Sequence, residues 1–572
     1  MKVSRIFVTL LVLFGMVVTT APARAEINTN FVNDFLNRYR PSKTALSATP
    51  AGQSPQDVAS LIRSGQLPLT VGDLINLMLQ NNLDIGVNRM TPLSSLYLIE
   101  TNYRPYEPTL RLTATVNRNT TPATSQLIGA PSLSTLGGSY GLGFSQAFAT
   151  GSSVGVNFSM NRNSSNSVFN TFNPSYTGLL QYTFTQHLMN GWGRGVNNHL
   201  IRIAQNNQKI SESQYEKQVI DLVAQAERSY WDLVFAAEDI KIKQRSMDLA
   251  QKTLSDNEIQ VRIGTLAPID LVQAQSDLAN RRVQFVTSTF TEVQTQDQVK
   301  KLITSQSDPG LVLAKLMPAQ PVRMPEASDV MPIDQAIKVA LENRPEMKQL
   351  QLDLQSKKID LDYTKNQLLP TVDFIASYTQ NGVGGMETIR AGFGPTAPII
   401  AQINGGVSDA FGQLFGYGYT GYSVGFSVSI PLRNRAAKGD NARATTDEHT
   451  AEQKIGSQAQ QIALEVRNAL TALEMNKAKI EATTTARELA ERRLDAEQKK
   501  FDLGASTIRF VLQEQTNVAQ AQTDELQAIV NYTKSLVDLN HAMGMTLKKN
   551  NIELDKTLGN VAAKGPLGSA AK

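Results

Sequence analysis

The chain carries one sequence pattern twice. Residues 69–81 and 331–343 share it, and both copies continue through a helix-like stretch to a Pro-Thr pair. The aligned positions are shifted by 262, as in three matched pairs: Leu79 with Leu341, Asn81 with Asn343, and Pro108 with Pro370. A duplication of this length is far longer than a solenoid repeat. It predicts a protein of two similar halves that pack about a pseudo-symmetry axis.

The later blocks of the two halves match at a smaller shift. Residues 261–271 align with residues 501–511, so that Gly264 corresponds to Gly504 at a shift of 240 positions. The first half therefore holds extra residues between its shared blocks. Most of them fall within residues 108–188, a region rich in Ser, Thr, Gly and Asn.

The N-terminus has the three parts of a secretory signal. Lys2 and Arg5 form a basic start, residues 6–18 are apolar, and residues 23–25 (Ala-Arg-Ala) form a cleavage site, so we expect the mature chain to begin at Glu26. The apolar run is shorter than the about 20 residues that a membrane-spanning helix needs. The chain has no cysteine, so we expect neither disulfides nor a cysteine-linked lipid.

Several segments alternate strictly between apolar and polar residues, which predicts β-strands with one apolar and one polar face. The apolar members form six sets: Leu110, Leu112, Ala114 and Val116; Tyr140, Leu142 and Phe144; Val154, Val156, Phe158 and Met160; Leu180, Tyr182 and Phe184; Val372, Phe374, Ala376 and Tyr378; Tyr422, Val424, Phe426, Val428 and Ile430. A membrane β-barrel with a wet lumen has this pattern, and a soluble β-sandwich has it equally. The segments 161–173 and 381–421 fit long extracellular loops, because they are rich in Gly, Asn and Ser.

Very long helices follow the strands in both halves. Residues 198–263 contain neither proline nor glycine, and at about 1.5 Å per residue they would form a helix of about 100 Å. Heptad-like spacing of apolar residues predicts coiled-coil seams in both halves: Tyr215, Val219, Leu222, Ala226 and Tyr230; Ala459, Ile462, Val466, Ala469 and Leu473. Partner helices are predicted at about 268–305 and 506–543. Because one chain offers too few strands to close a barrel, we expect symmetric copies to share one.

The sequence thus predicts a mainly α-helical fold with a membrane β-barrel and two internal repeats. The expected order is a signal peptide (1–25), an N-terminal periplasmic leader (26–68), the first repeat (69–305), a linker (306–330), the second repeat (331–545) and a disordered C-terminal tail (546–572). Within the repeats, barrel strands are expected at about 109–188 and 371–431, and long helical hairpins at about 195–305 and 435–545.

These features together resemble the TolC-type outer membrane efflux proteins over roughly residues 69–545. The resemblance depends on the duplicated unit ending in Pro-Thr, the strand at 181–188 that leads into the first long helix, its counterpart at 427–432, and the two glycine turns. In that family three protomers share one barrel, and their long helices form a periplasmic α-barrel. The resemblance therefore implies a homotrimer in the cell outer membrane that extends into the periplasm.

The resemblance also implies a function. The trimer would be an exit duct that carries small molecules or secreted polypeptides from the periplasm to the exterior, within a tripartite efflux or type I secretion complex. Its implied partners are a periplasmic adaptor (membrane fusion) protein, an inner-membrane pump or ABC transporter, and outer membrane lipid. The alternative is an exported coiled-coil structural protein or adhesin without transport, against which the strands argue, because a scaffold does not need them.

The two glycine turns are the predicted docking sites for the adaptor. Glycine ends a helix by taking a left-handed conformation, so a purely structural role also explains both glycines. In the family the same turns contact the adaptor. By this match the docking candidates are Gly264, Thr265, Leu266, Gly504, Ala505 and Ser506.

The predicted periplasmic gate departs from the family's pattern. The family often carries aspartate rings on the inner helix of the second half, whereas this chain has Phe510 and Gln513 there. Only the first half keeps an acid, Asp270. Three copies of Asp270 could form a cation-attracting ring, or the residue could be a solvated carboxylate at a helix start. Phe510 could form an apolar constriction, so the charge selectivity of the gate stays open.

The first half also has more predicted strands than the family's two per half. Residues 139–149 and 154–160, joined by Thr150 and Gly151, are typical of an added hairpin. The hairpin either adds strands to the barrel or projects from it as an extracellular hairpin, and the sequence leaves both alternatives open.

We expect neither an enzyme nor a cofactor or metal site. The four histidines lack metal-ligand spacing such as His-Glu-x-x-His: His187, His199, His449 and His541. A net charge of only +4, without a basic patch that has interleaved aromatic residues, argues against nucleic-acid binding. The long helices argue against a self-sufficient porin, because porins have short periplasmic turns.

Overall fold

The computed structural model describes residues 64–124, 131–303, 309–326, 331–392 and 397–552, together with Tyr39, Leu61 and Ile62. The predicted signal peptide, most of the predicted leader and residues 553–572 of the predicted tail lie outside the described residues. The described residues include most of both predicted repeats.

Two helices that meet at an asparagine open the first repeat. After the short strand β1 (Gln66–Leu69), helix α1 (Val71–Asn81) ends at Asn82, where α2 (Leu83–Thr101) begins. The side-chain oxygen of Asn82 accepts a hydrogen bond from the backbone N–H of Asp84, 2.9 Å away. Asn82 thereby caps α2 and changes the direction of the chain.

Four strands and a long helical hairpin complete the first repeat. The strands are β2 (Thr109–Pro122), β3 (Ser132–Ala147), β4 (Ser152–Ser165) and β5 (Phe172–His187). The hairpin follows a short helix: α3 (Arg194–Asn197), then α4 (His199–Arg262) and α5 (Pro268–Ile303). With 64 residues, α4 is about 95 Å long.

The second repeat has the same order of helices, strands and hairpin. Two short elements come between the repeats: α6 (Pro309–Leu313) and β6 (Lys315–Pro318). The second repeat then comprises α7 (Ile333–Asn343), α8 (Pro345–Gln367), β7 (Thr371–Arg390), β8 (Ile399–Ile403), α9 (Val407–Phe415), β9 (Thr420–Ser429), α10 (Arg435–Asp502) and α11 (Ile508–Ala542), and α12 (Thr546–Lys549) follows. The predicted fold of long helices, antiparallel strands and two repeats is confirmed.

Seven of the described strands form one antiparallel sheet in the order β2-β3-β4-β5-β7-β8, and β9 also pairs with β7. β8 pairs with the last residues of β7 and β9 with the first ones. Residues 139–160 belong to β3 and β4, which lie between β2 and β5. The added hairpin is therefore part of the sheet and does not project from it.

The two faces of this sheet differ in chemistry, as the alternation predicts. Leu142 lies opposite Leu112 on one side and Phe158 on the other, so the apolar sets of neighbouring strands share one face. The opposite face carries Ser, Thr, Asn and Gly. Ser377 and Ser423 are an example, with hydroxyl oxygens 2.9 Å apart. We call these the apolar and the polar face of the sheet.

Each helical hairpin has its own apolar core. Tyr230 and Leu233 are at the centre of the first core, and Ile462, Val466 and Leu473 are at the centre of the second. All five side chains are fully buried. Four of them are positions of the predicted seams, and Leu233 continues the first seam three residues after Tyr230, so the spacing identified real helix contacts. Within the described ranges, no helix combines the length and the apolar character needed to cross a membrane.

A two-stranded parallel sheet joins the predicted leader to the predicted linker. β1 pairs with β6, and Leu67 lies opposite Leu316. The hydroxyl of Tyr230 donates to the carbonyl oxygen of Leu69 at 3.1 Å and accepts from the backbone N–H of Gln320 at 3.0 Å. Neither strand is predicted from the sequence, because each has only four residues, too few to show an alternating pattern.

Two predictions need correction. The tail is not disordered from its start, because Thr546–Lys549 form α12 and Leu547 packs into the first core. The segment 381–421 is not one long loop, since β7 runs to Arg390 and is followed by β8 and α9. In both places a few buried apolar side chains outweigh the polar and glycine-rich composition.

Candidate functional site

Both long hairpins turn at a glycine in the left-handed conformation. Gly264 has φ = 83° and Gly504 has φ = 75°. Two backbone hydrogen bonds close each turn in the same way: Gly264 N–H to Val261 and Thr265 N–H to Gln260 in the first, Gly504 N–H to Phe501 and Ala505 N–H to Lys500 in the second. These bonds pair the last carbonyl oxygens of α4 and α10, and the left-handed residue makes them possible.

The two turns lie at the same end of the molecule. An apolar cluster beside them joins the hairpins and draws on α4, α5 and α11: Leu254, Ala274, Ile508, Val511 and Leu512. Residues 261–270 and 501–510 therefore form one region, which we call the tip. The fold brings together the docking candidates of both repeats.

The docking candidates are mostly accessible. Gly264, Thr265, Gly504 and Ala505 are exposed, whereas Leu266 and Ser506 are partly buried. The Ser506 hydroxyl donates to the carboxylate of Glu497, and this bond, together with one from Lys500, holds the pKa of Glu497 below its usual range. Ser506 thus stabilises the returning turn as a hydrogen-bond donor to α10.

Two exposed apolar residues at the tip are not among the predicted docking candidates. Ile263 is 68% exposed and Leu503 is 84% exposed. Each directly precedes the glycine of its turn, and the two are equivalent in the aligned repeats. Large aliphatic side chains exposed at equivalent positions are typical of a contact surface. The alignment of the repeats could have identified them, because both copies have a large aliphatic residue before the glycine.

The gate candidates lie on the returning helices. Asp270 is the third residue of α5 and Phe510 the third of α11, and the shift of 240 makes them equivalent. Phe510 is 55% exposed, and Asp270 is partly buried. Gln513 donates to Asn517 at 3.2 Å and lines an open groove of about 340 Å³ between α5 and α11. Asp270 and Phe510 do not line that groove.

A buried arginine close to the tip was not predicted. Arg281 on α5 is 4% exposed. Its guanidinium donates to Asp277 at 2.7 Å, to Ser246, to the carbonyl oxygen of Leu512 at 3.2 Å and to Thr516 at 3.0 Å. The residue therefore ties α4, α5 and α11 together where the apolar cluster of the tip ends.

A second polar contact joins the same three helices farther from the tip. The carboxylate of Asp239 on α4 accepts from Ser288 on α5 at 2.7 Å and from Thr523 on α11 at 3.1 Å. Lys243 lies 3.7 Å from the same carboxylate. Buried polar contacts at two levels thus hold α11 of the second repeat to the hairpin of the first.

The arrangement is suited to conduction and contact. It has a sheet with one polar face, helices of about 95 Å and a small tip with exposed aliphatic residues. Among the described residues, no three histidine, aspartate or glutamate side chains come together as a possible metal site.

Comparison with known proteins identifies relatives of this fold. The model of the family described as outer membrane efflux protein matches residues 74–304 and 336–545. A membrane protein from Pseudomonas aeruginosa has a similar structure (TM-score 0.60, 15% identity, 86% of this chain and 95% of that chain). The CmeC outer membrane channel of Campylobacter jejuni is also similar (TM-score 0.58, 14% identity, 90% of this chain and 92% of that chain). So is the MtrE outer membrane channel of Neisseria gonorrhoeae (TM-score 0.55, 16% identity, 83% of this chain and 89% of that chain). No protein of curated function matches the sequence.

Proposed function

The chain belongs to the outer membrane efflux protein family, and on that premise we propose that three copies form one duct, fed by a periplasmic adaptor and an inner-membrane pump. As a member of the family, the protein is a TolC-type efflux channel of the outer membrane that extends into the periplasm, and it is not an enzyme. The alternative of an exported scaffold without transport is therefore wrong. We propose the trimer, its adaptor and pump partners, and the roles of the tip residues.

The proposed trimer is supported mainly by the two edges of the antiparallel sheet, which have no partner strand within the described part of the chain. Among the described strands, β2 pairs only with β3, and β9 pairs only with β7. Unpaired backbone N–H and C=O groups are costly in lipid, so β9 of one copy would pair with β2 of the next. Six of the described strands have ten or more residues: β2, β3, β4, β5, β7 and β9. Six from each of three copies give a closed sheet of eighteen.

An exposed heptad seam supports the same assembly. Val283, Val286, Phe290 and Val293 on α5 follow one another at spacings of three and four, and all are exposed in the single chain. Such a seam needs a facing helix to cover it. α10 also exposes large apolar residues: Leu464, Met475 and Leu489. Contact between α5 of one copy and α10 of its neighbour would bury both sets.

Cysteine cross-linking tests the trimer directly, because the natural chain has no cysteine. Thr113→Cys on β2 is combined with Ser423→Cys or Ser427→Cys on β9, all on the polar face. Oxidation should give intermolecular products up to a trimer. The matched control is Thr109→Cys with Ser145→Cys, whose hydroxyls lie 2.7 Å apart within one chain. Closure of the control without any intermolecular product would contradict the proposed edge pairing.

We propose the tip as the docking site of the adaptor. The docking candidates surround Ile263 and Leu503, so each repeat offers a glycine turn with one exposed aliphatic side chain. Three copies would offer six such turns, two from each copy. A periplasmic adaptor that carries a matching apolar surface at its own end would bury these side chains on contact.

Site-specific photo-cross-linking in cells tests this docking. A photoreactive residue at Thr265 or Ala505 should capture one periplasmic adaptor, whereas the same residue at Leu200, exposed at the other end of α4, should not. Capture of only other copies of the chain at all three positions would contradict the proposed site. The identity of the adaptor would also separate small-molecule efflux from polypeptide secretion.

We propose that Asp270, Phe510 and Gln513 line the entrance of the duct. Because Asp270 and Phe510 are equivalent positions, a trimer would present three carboxylates alternating with three phenyl rings around its axis. Such a ring favours cations and keeps the opening narrow. In planar bilayers, Asp270→Asn should lower the cation selectivity of single channels, whereas Asp256→Asn, at an exposed position of α4, should not. Unchanged selectivity in Asp270→Asn would remove Asp270 from the entrance.

A further inference from the structure

We propose that α9 (Val407–Phe415) is an interfacial membrane helix, which lies on the apolar face of the sheet and contacts the acyl chains of the outer leaflet. The proposal rests on the proposed function in one respect, that the apolar face of the sheet contacts lipid. It adds a lipid-binding element that follows from the seat of α9, from its position along the sheet and from its outward side chains.

α9 lies directly on the strands of the sheet. Ala410 and Leu414 are the buried residues of the helix, both with no exposed surface. Leu414 lies against Gly178 of β5. A Cβ added to Gly178 would lie 3.7 Å from a methyl carbon of Leu414. Gly178 is paired with Gly382 of β7. Both belong to the apolar face, because they are two residues from Leu180 and four from Tyr378 on their strands.

The glycines of this seat let two backbones approach closely. A Cβ on Gly382 would collide with the carbonyl oxygen of Ala410, and a Cβ on Gly384 would collide with that of Gly406. Glycine within a strand commonly marks such an approach. Gly178, Gly382 and Gly384 therefore form the seat of α9 on the apolar face.

α9 lies away from the end of the sheet at which the long helical hairpins begin. β5 leads into the long helix α4, and β9 leads into α10, so both long hairpins leave the sheet at one end. α9 connects β8 to β9 at the opposite end. For an outer membrane channel with a periplasmic extension, that opposite end faces the exterior. α9 therefore lies at the level of the outer leaflet.

The outward surface of α9 is apolar and aromatic. Phe411 stacks on Phe158 of β4 with ring centroids 5.8 Å apart, and on Phe415 at 6.2 Å. Phe415 is 57% exposed, and Val407 is exposed as well. A continuous aromatic surface thus runs from the apolar face of the sheet onto the helix. Because lipid contacts the sheet part of this surface, it also contacts the helix part.

The polar groups at the ends of α9 suit the membrane interface. Tyr417 and Tyr419 follow the helix and are exposed, and tyrosine is enriched at the level of lipid headgroups. Asp409 is the only charged residue of the helix. Its carboxylate accepts from the backbone N–H of Gly406 at 2.7 Å, so it caps the N-terminus. A short amphipathic helix with this layout lies in the plane of the interface.

Spin labels in reconstituted vesicles test the proposal. A nitroxide is attached to a single cysteine in the full chain, in phospholipid vesicles, and its collisions with oxygen and with a water-soluble nickel complex are compared. The labelled variants are Phe415→Cys, Tyr422→Cys on the apolar face of β9, and Ser423→Cys on its polar face. We expect oxygen to dominate at Phe415 and Tyr422 and nickel to dominate at Ser423.

The outcomes separate the inference from the function on which it rests. Nickel dominance at Phe415, together with oxygen dominance at Tyr422, would overturn the membrane helix and leave the channel intact. Equal accessibility at Tyr422 and Ser423 would overturn both, because the sheet would then have no lipid-facing side.

A second variant tests the glycine seat. Gly382→Val in the Phe415→Cys background should displace α9 and shift the label at Phe415 toward nickel accessibility. The control is Gly425→Val on β9, where an added Cβ meets nothing within 4 Å, and it should leave the label unchanged. An unchanged label in Gly382→Val would overturn the proposed seat.

Discussion

The guanidinium of Arg281 donates a hydrogen bond to the main-chain carbonyl oxygen of Leu512, 3.2 Å away. Arg281 belongs to the first repeat and Leu512 to the second, so this contact joins the two halves next to the tip. Leu512 follows Phe510 by two residues on α11. The position of a gate candidate therefore depends on a buried charge of the other repeat.

Arg281→Met should destabilise the tip. The substitution removes four hydrogen-bonded contacts and leaves Asp277 without its partner, at a cost of about 3 kcal/mol. We expect earlier thermal unfolding in detergent and a higher single-channel conductance. The control is Arg282→Met, which removes the same charge from an exposed neighbour. Similar effects of the two variants would show that charge alone is responsible.

Gly264→Ala and Gly439→Ala should change stability in opposite directions. A Cβ at either position meets nothing within 4 Å, so only backbone conformation distinguishes them. At Gly264 the positive φ makes alanine cost about 1 kcal/mol. Gly439 lies within α10, where alanine should stabilise by about 1 kcal/mol. Denaturant unfolding measures the free energy of unfolding of each variant. Stabilisation by Gly264→Ala as well as by Gly439→Ala would mean that the turn does not need a left-handed residue.

Tyr230→Phe should weaken the attachment of the small parallel sheet to α4. The variant leaves the carbonyl oxygen of Leu69 and the N–H of Gln320 without this hydroxyl, at a cost of about 2 kcal/mol. Hydrogen exchange of β1 and β6 should rise most. Tyr215→Phe, at a partly buried position of the same helix, is the matched control. Unchanged exchange in Tyr230→Phe would show that the hydroxyl does not hold the sheet.

Stability should fall as the pH decreases toward about 2. Burial alone would raise the pKa of Asp221, but hydrogen bonds from His541 and Lys217 outweigh burial and lower it from 3.8 to about 2. Because the folded state favours the carboxylate, this stabilisation is complete above pH 3.8 and is lost as the pH falls through about 2.

Asp221→Asn tests this dependence through thermal unfolding across the same pH range. The variant should lose less stability on acidification than the natural chain does. Asp248→Asn, which removes a carboxylate from an exposed position of the same helix, should retain the full dependence. Identical slopes in Asp221→Asn and the natural chain would exclude Asp221 as the source.

The sequence predicted those parts of the fold that local rules govern. Helices as long as α4 and α10 follow from unbroken heptad spacing, and the two faces of the strands follow from alternation. The left-handed Gly264 and Gly504 were predictable because glycine alone accepts that conformation without cost. Ile263 and Leu503 were also predictable, because both repeats have a large aliphatic residue directly before the glycine.

By itself, then, the sequence determined the repeats, the periodicities and the turns, because each depends on neighbours within a few residues. The tertiary structure decided the placement of the added hairpin in the sheet, the seat of α9 on Gly382 and Gly384, and the burial of Arg281. The sequence does not distinguish Arg281 from Arg282. Only packing against α11 buries Arg281 and lets it hydrogen-bond to the second repeat. Such contacts join residues that are far apart in the chain, so a local sequence pattern cannot predict them.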